Sequence, residues 1–208
     1  MKTYRGIRIY ETLPEIVAPE HTCLVVWDVQ NALIGRLFDK DTYVSRIGPF
    51  VGAMRQRMTV VYTLITPLPL HMQSGWGLYS RMRRMKVDDP AKLHEFMAKG
   101  SVDAEVPAQV KPQEGDVILE KSSANIFVDT PFETMLRNRG VQSVIFTGIA
   151  TDVGVETSAR DASARGFYPV VVRDGVSSMD REAHERSLLS LERIAVVADM
   201  KEVLAAAG

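Results

Sequence analysis

Three stretches of this sequence carry residue types that could do chemistry, and each closes an apolar run. Asp28 stands next to last in TCLVVWDV (22–29), Lys121 ends GDVILEK (115–121), and GIATDVG (148–154) follows VQSVIFT. A carboxyl group in a partly apolar cleft binds its proton more tightly through desolvation, and a nearby ammonium pulls it back. Such a pair can shuttle a proton near neutral pH. A strand-end Asp that caps the next turn and a solvated Lys are the plain alternatives. Spacing alone does not choose between them.

The third stretch runs on as GIATDVGVETSARDASARG (148–166), from an apolar run into a helical pattern. Thr151 or Asp152 can serve as the N-cap of a helix starting at Val153. The first amides of that helix would offer hydrogen bonds to an oxyanion or a carboxylate. A Cys at position 154 would have its pKa lowered there and act as a nucleophile. Gly154 can only present its N–H and leave space. A Gly in a helical turn costs up to about 1 kcal/mol relative to Ala. That cost points to close approach, either by a ligand or by the neighbouring strand.

These positions need a scaffold that brings them together. TCLVVWDV, MTVVYTLIT (58–66), VQSVIFTGI (141–149) and YPVVVRDGV (168–176) are short and rich in Val and Ile. Runs without strict alternation suit strands covered on both faces. GDVILEK and RIAVVAD (193–199) add a fifth and a sixth. Helical patterns lie at 41–57, interrupted by Gly48-Pro49, at 131–140, at 153–166 and at 180–194, and KEVLAAAG closes the chain. The alternation predicts one domain over 1–208, a Rossmann-like three-layer α/β/α fold with a mostly parallel six-stranded sheet. Ligands bind beyond the carboxyl ends of such strands. There Asp28 and Lys121 become candidates for one cleft. Residues 67–114 have no strong strand and read as an excursion over the sheet edge, a lid or an oligomer arm. Within it, Trp76 and Tyr79 are candidates to stack on a flat substrate or to be buried in a subunit contact.

The composition of the 208 residues sets outer bounds. A formal net charge of −1 without blocks of like charge argues against nucleic acid or an anionic membrane as the main partner. The basic cluster RMRRMK (81–86) is a solvated face, an anion-binding lid or an oligomer contact. A lone Cys23 inside an apolar run excludes an intramolecular disulfide and suits a reducing cytoplasm. The N-terminal MKTYRGIRIYETLPE has the pattern of neither a signal peptide nor a membrane anchor. The four histidines, at 21, 71, 94 and 184, show no ligand spacing, so neither a metal nor another cofactor is expected. His71 in the excursion could contact a substrate, or be an ordinary surface His.

CLVVWDVQNALIG, VILEKSSANIF and TGIATDVGVETSARDASARGFYPVVVRDGVSS, in that order, resemble the isochorismatase-like (cysteine hydrolase) superfamily. The resemblance runs from about residue 20 to 200. It implies Asp28 and Lys121 as catalytic residues and position 154 as that of the nucleophilic Cys, which is Gly here. It also implies a cis Ile149–Ala150 peptide, with the amides of Ala150 and Gly154 as an oxyanion hole. The branch that lacks the Cys cleaves a vinyl ether, its Asp acting as general acid before water attacks. On that pattern Gln30 would orient ligand or water, and Ala150, Thr151 and Phe127 would line the substrate site. The turn Ile149-Ala150-Thr151-Asp152 looks more like the Cys branch. An amidohydrolase scaffold that has lost its nucleophile, naturally or by engineering, and only binds is therefore the alternative. The Asp-x-His metal pair of the family's nicotinamidases is missing from TLITPLPLHMQSG (63–75). The resemblance further implies a small-molecule substrate and a homodimer or homotetramer.

Overall fold

A computed structural model describes all 208 residues. Six strands form one sheet: β3 (Thr22–Trp27), β4 (Thr59–Ile65), β5 (Val117–Lys121), β6 (Ser143–Ile149), β7 (Tyr168–Ser177) and β8 (Val196–Ala198). Their order is β5-β4-β3-β6-β7-β8, and every neighbouring pair is parallel. The chain winds outward from β3 to β5, returns to β6, and winds outward again. The direction of winding therefore reverses between β3 and β6. Their carboxyl ends flank the crevice where open α/β sheets take ligands.

Two apolar cores cover the sheet, because successive strand side chains point to opposite faces. Leu24 and Val26 of β3 enter one core, with Tyr43, Ile47, Phe50, Val51 and Met54 of α3 (Lys40–Arg55) and Val203 of α8 (Met200–Ala206). Cys23, Val25 and Trp27 enter the other, with Phe132 and Leu136 of α5 (Phe132–Asn138). Ala159 and Ala162 of α6 (Glu156–Ala164) and Leu188 and Leu191 of α7 (Arg181–Leu191) complete it.

Two local expectations are corrected. Helix α3 runs unbroken through Pro49. Proline removes one helical hydrogen bond, but five buried side chains hold this helix on the sheet. Gly48 serves packing rather than interruption. A Cβ there would lie 2.5 Å from the carbonyl oxygen of Gln109, so the excursion's backbone passes directly against the helix. A two-stranded hairpin, β1 (Lys2–Tyr4) and β2 (Ile7–Ile9), stands where the apolar pattern predicts no strand. Its turn residues Arg5 and Gly6 both have positive φ, which matches the favoured two-residue hairpin turn. Short helices α1 (Leu13–Ile16) and α2 (Asn31–Ile34) flank β3. The 67–114 excursion holds helix α4 (Gly75–Met85) and several single 3₁₀ turns, without a strand. No helix is long and apolar enough to cross a membrane.

Candidate active site

Asp28 is the first residue beyond β3, and its φ of +47° turns the chain sharply out of the strand. Its backbone N–H is shared between the carbonyl and hydroxyl oxygens of Thr63 on β4, both at 3.1 Å. The Thr63 hydroxyl donates to Asp28 Oδ1 at 2.6 Å. Lys121, the last residue of β5, donates from Nζ to Asp28 Oδ2 at 2.7 Å and to the Ser123 carbonyl at 3.1 Å. The two predicted residues, 93 positions apart, therefore form one ion pair. Both are buried, at 5% exposure. The Lys121 ammonium also sits 4.1 Å from the centroid of the Trp27 ring, a cation–π arrangement.

Burial pushes the Asp28 carboxyl above its ordinary range, while the Lys121 charge and the hydrogen bonds from Lys121 and Thr63 hold it back. Burial pushes the Lys121 ammonium below its ordinary value, and Asp28 opposes the shift. Both shifts move toward a pair that shares a proton. A proton taken up by Asp28 leaves the Lys121 ammonium without its counter-charge, and a proton released by Asp28 restores the pair.

On the other side of the crevice, β6 ends in a cis Ile149–Ala150 peptide, as the sequence resemblance implied. A tight turn of π-helical form, Thr151–Val155, then leads into α6. Neither expected N-cap acts as one. The Thr151 hydroxyl meets His184 Nδ1 of α7 at 2.8 Å, and Asp152 accepts from the Ser178 hydroxyl. The Ser187 hydroxyl contacts the Thr151 carbonyl at 3.3 Å and Glu156 at 2.6 Å. Thr151 is thus enclosed in a network between the turn and α7, where burial holds the His184 pKa below its ordinary value. Ala150 is half-buried, and its carbonyl accepts from the N–H groups of Val153 and Val155.

Gly154 is buried, and of the two close approaches left open it is the neighbouring strand's, not open space, that the structure shows. A Cβ there would fall 2.6 Å from Trp27 Cζ2 and still nearer to Nε1 and Cε2. The indole fills that volume. In the sequence Trp27 is one more apolar residue of a strand. The signal was alternation along β3, which turns position 27 to the face that carries α6.

Other candidates stand apart from the pair. Gln30 is 1% exposed, and its amide is committed to backbone. It donates to the carbonyls of Ala104 and Ile65 at 2.8 and 3.3 Å and accepts from Ile65 N–H at 2.9 Å. Gln30 is therefore a bracket between strand ends and excursion rather than a ligand-orienting group. The Phe127 ring packs on Phe132 and Phe167 beneath the Arg165 guanidinium, in the second core. Trp76 and Tyr79 lie on α4 with 71% and 52% exposure, their rings 6.0 Å apart, in a surface position. Two surface depressions, of about 690 and 480 Å³, include Thr22, Thr59 and Val141 in one lining and Tyr168 and Pro169 in the other. These residues lie at the amino ends of the strands, opposite Asp28, and neither lining includes the ion pair.

Comparison with known proteins points to one family and one fold. Residues 22–202 match the family model described as the isochorismatase domain. Among curated relatives, the ureidoacrylate amidohydrolase RutB of Methylobacterium radiotolerans is 30% identical over 196 residues, covering 85% of this chain and 76% of that protein. RutB of Klebsiella pneumoniae is 29% identical over 177 residues, 76% of this chain and 73% of that protein. Among solved structures, a cysteine hydrolase from Pseudomonas syringae pv. phaseolicola superimposes with a TM-score of 0.75 at 23% identity, covering 92% of this chain and 94% of that one. N-carbamoylsarcosine amidase from Thermoplasma acidophilum gives 0.68 at 24% identity, covering 86% and 96%.

Proposed function

The chain belongs to the isochorismatase family, and on that premise we propose that it hydrolyses a small molecule with water as the attacking group and Asp28 as the residue that handles the proton. The carrying observation is the buried Asp28–Lys121 pair at the crevice between β3 and β6. Thr63 and Lys121 fix both carboxyl oxygens, so Asp28 meets a substrate in one orientation. No thiol serves the site. Gly154 stands where the cysteine hydrolases carry their nucleophile. Cys23 lies near the amino end of β3, and burial pushes its thiol up to about 12.

Two bonds fit this chemistry. In a vinyl ether, Asp28 delivers its proton to the vinyl carbon, water adds to the resulting oxocarbenium, and the hemiketal collapses to a carbonyl compound and an alcohol. In a ureide or amide, the carbon–nitrogen bond breaks after water attack, with Asp28 taking the proton from water and returning it to the leaving nitrogen. The relatives named for ureidoacrylate cleavage favour the second bond. The amides of Ala150 and Gly154 are the groups we assign to the developing oxyanion.

The test is a panel of ureidoacrylate, N-carbamoyl amides and an isochorismate-type vinyl ether, assayed with wild type and Asp28→Asn. Proton-transfer catalysis contributes about 10²- to 10⁴-fold, so Asp28→Asn should lose that factor on whichever compound turns over. If Asp28 is the acid, kcat/KM falls as pH rises through its raised pKa. If it is the base, kcat/KM falls as pH drops through the same value. Either limb must vanish in the variant. Equal rates for variant and wild type would overturn the proposal. A binding protein without turnover is the second reading, favoured by the Trp27 ring that closes the slot at Gly154. It predicts thermal stabilisation by one of these compounds with no product formed.

A further inference from the structure

Trp27 and Gly154 meet across the crevice, one from each flanking strand end. Trp27 is paired in register with Gly148, whose φ of +113° and missing Cβ let β6 approach the Trp27 backbone. That approach places the indole edge against position 154, where any Cβ would collide with Nε1, Cε2 and Cζ2. The opposite constraint comes from Lys121, whose ammonium rests 4.1 Å from the ring centroid while it binds Asp28. The ring is thus held between the ion pair and the helix start. At 1% exposure it has no open side to swing into.

We infer that Trp27 is the residue that determines the route of this site: its indole occupies the volume a side-chain nucleophile at position 154 would need, and so restricts hydrolysis to direct attack by water. Gly154 is then the complement of Trp27 rather than a simple deletion. A Cys shortened to Gly would leave a thiol-sized gap, and here an indole occupies it. The inference rests on the hydrolytic proposal for what the exclusion achieves, but the exclusion itself can be measured without any substrate.

Ala is favoured over Gly within a helical turn, so Gly154→Ala would stabilise an ordinary position. With Trp27 present it should instead lower Tm by several degrees. In a Trp27→Leu background the same change should leave Tm level or raise it, a sign reversal that a double-mutant cycle reads directly. Should Trp27→Leu not fold, the parent still decides: a Gly154→Ala Tm at or above the parent value overturns the inference. A second measurement uses iodoacetamide, whose iodide is displaced by a thiolate to leave a carbamidomethyl group on sulfur. Trp27→Val/Gly154→Cys should gain one such group, seen by intact mass, at least tenfold faster than folded Gly154→Cys. Equal labelling of single and double variants, with equal Tm, overturns the inference. These readouts need no turnover, so failure of the Asp28 assays and failure of the Trp27 exclusion are separate results.

Discussion

Two clusters of buried polar side chains lie at the carboxyl end of the sheet, and they differ in what their burial costs. The first, Asp28 with Lys121 and Thr63, places two opposite formal charges 2.7 Å apart in the core. The second, Thr151 with His184 and Ser187, is built around a hydroxyl and an imidazole whose pKa burial lowers. Desolvating an ion pair costs several kcal/mol per ion, and apolar replacements of similar shape are often as stable or more so. Satisfied neutral networks carry no such penalty and rigidify the fold. The first cluster is therefore hard to explain by stability and easy to explain by proton transfer. The second needs no function beyond joining α7 to the turn after β6.

The largest expected effect would break that contrast. Lys121→Met leaves Asp28 buried without its partner and should cost about 3–5 kcal/mol, measured by urea unfolding. Asp28→Leu/Lys121→Met should regain most of that loss while abolishing turnover. A double variant no more stable than the single would mean that the pair is structural. A smaller effect sharpens the other side. Thr151→Val removes the hydroxyl from His184 and should cost about 1–3 kcal/mol, the penalty of a buried polar atom without a partner. The smallest is a pH effect. Burial holds His184 below its ordinary 6.5, against the charges of Asp39, Glu185 and Asp152. Stability from the neutral ring is thus complete above the unfolded value and is lost as pH falls through the folded one. The Tm drop between about pH 7.5 and pH 5 should shrink in His184→Gln, and an unchanged drop would remove His184 as its source.

The four inner strands, β4, β3, β6 and β7, were legible because burial on both faces leaves continuous Val- and Ile-rich runs, and the edge strands β5 and β8 because shorter apolar runs end in polar residues. Asp28 and Lys121 were legible because each polar residue ends such a run, and parallel winding brings those ends together. Trp27 was not, because the sequence does not say which side chain from one strand fills the space left by a glycine on another. Gln30 misled for a related reason. Two residues beyond an acid it reads as a ligand contact, yet its three hydrogen-bond partners are backbone groups of Ile65 and Ala104. Thr151 carried a polar label into the crevice, but its hydroxyl faces His184 on a helix 33 residues later. Pairings at such sequence distance leave no local trace.

Beyond its role as a bracket, Gln30 has a mechanical consequence. With Asn31, whose side chain and N–H hold the carbonyls of Val102 and Glu105 at 2.8 and 2.9 Å, it suspends residues 102–105 from the chain immediately after Asp28. A swing of that segment would tug on the hinge of the carboxylate itself. Excursion and acid are thus tied through three hydrogen bonds, so a displacement of one is passed to the other.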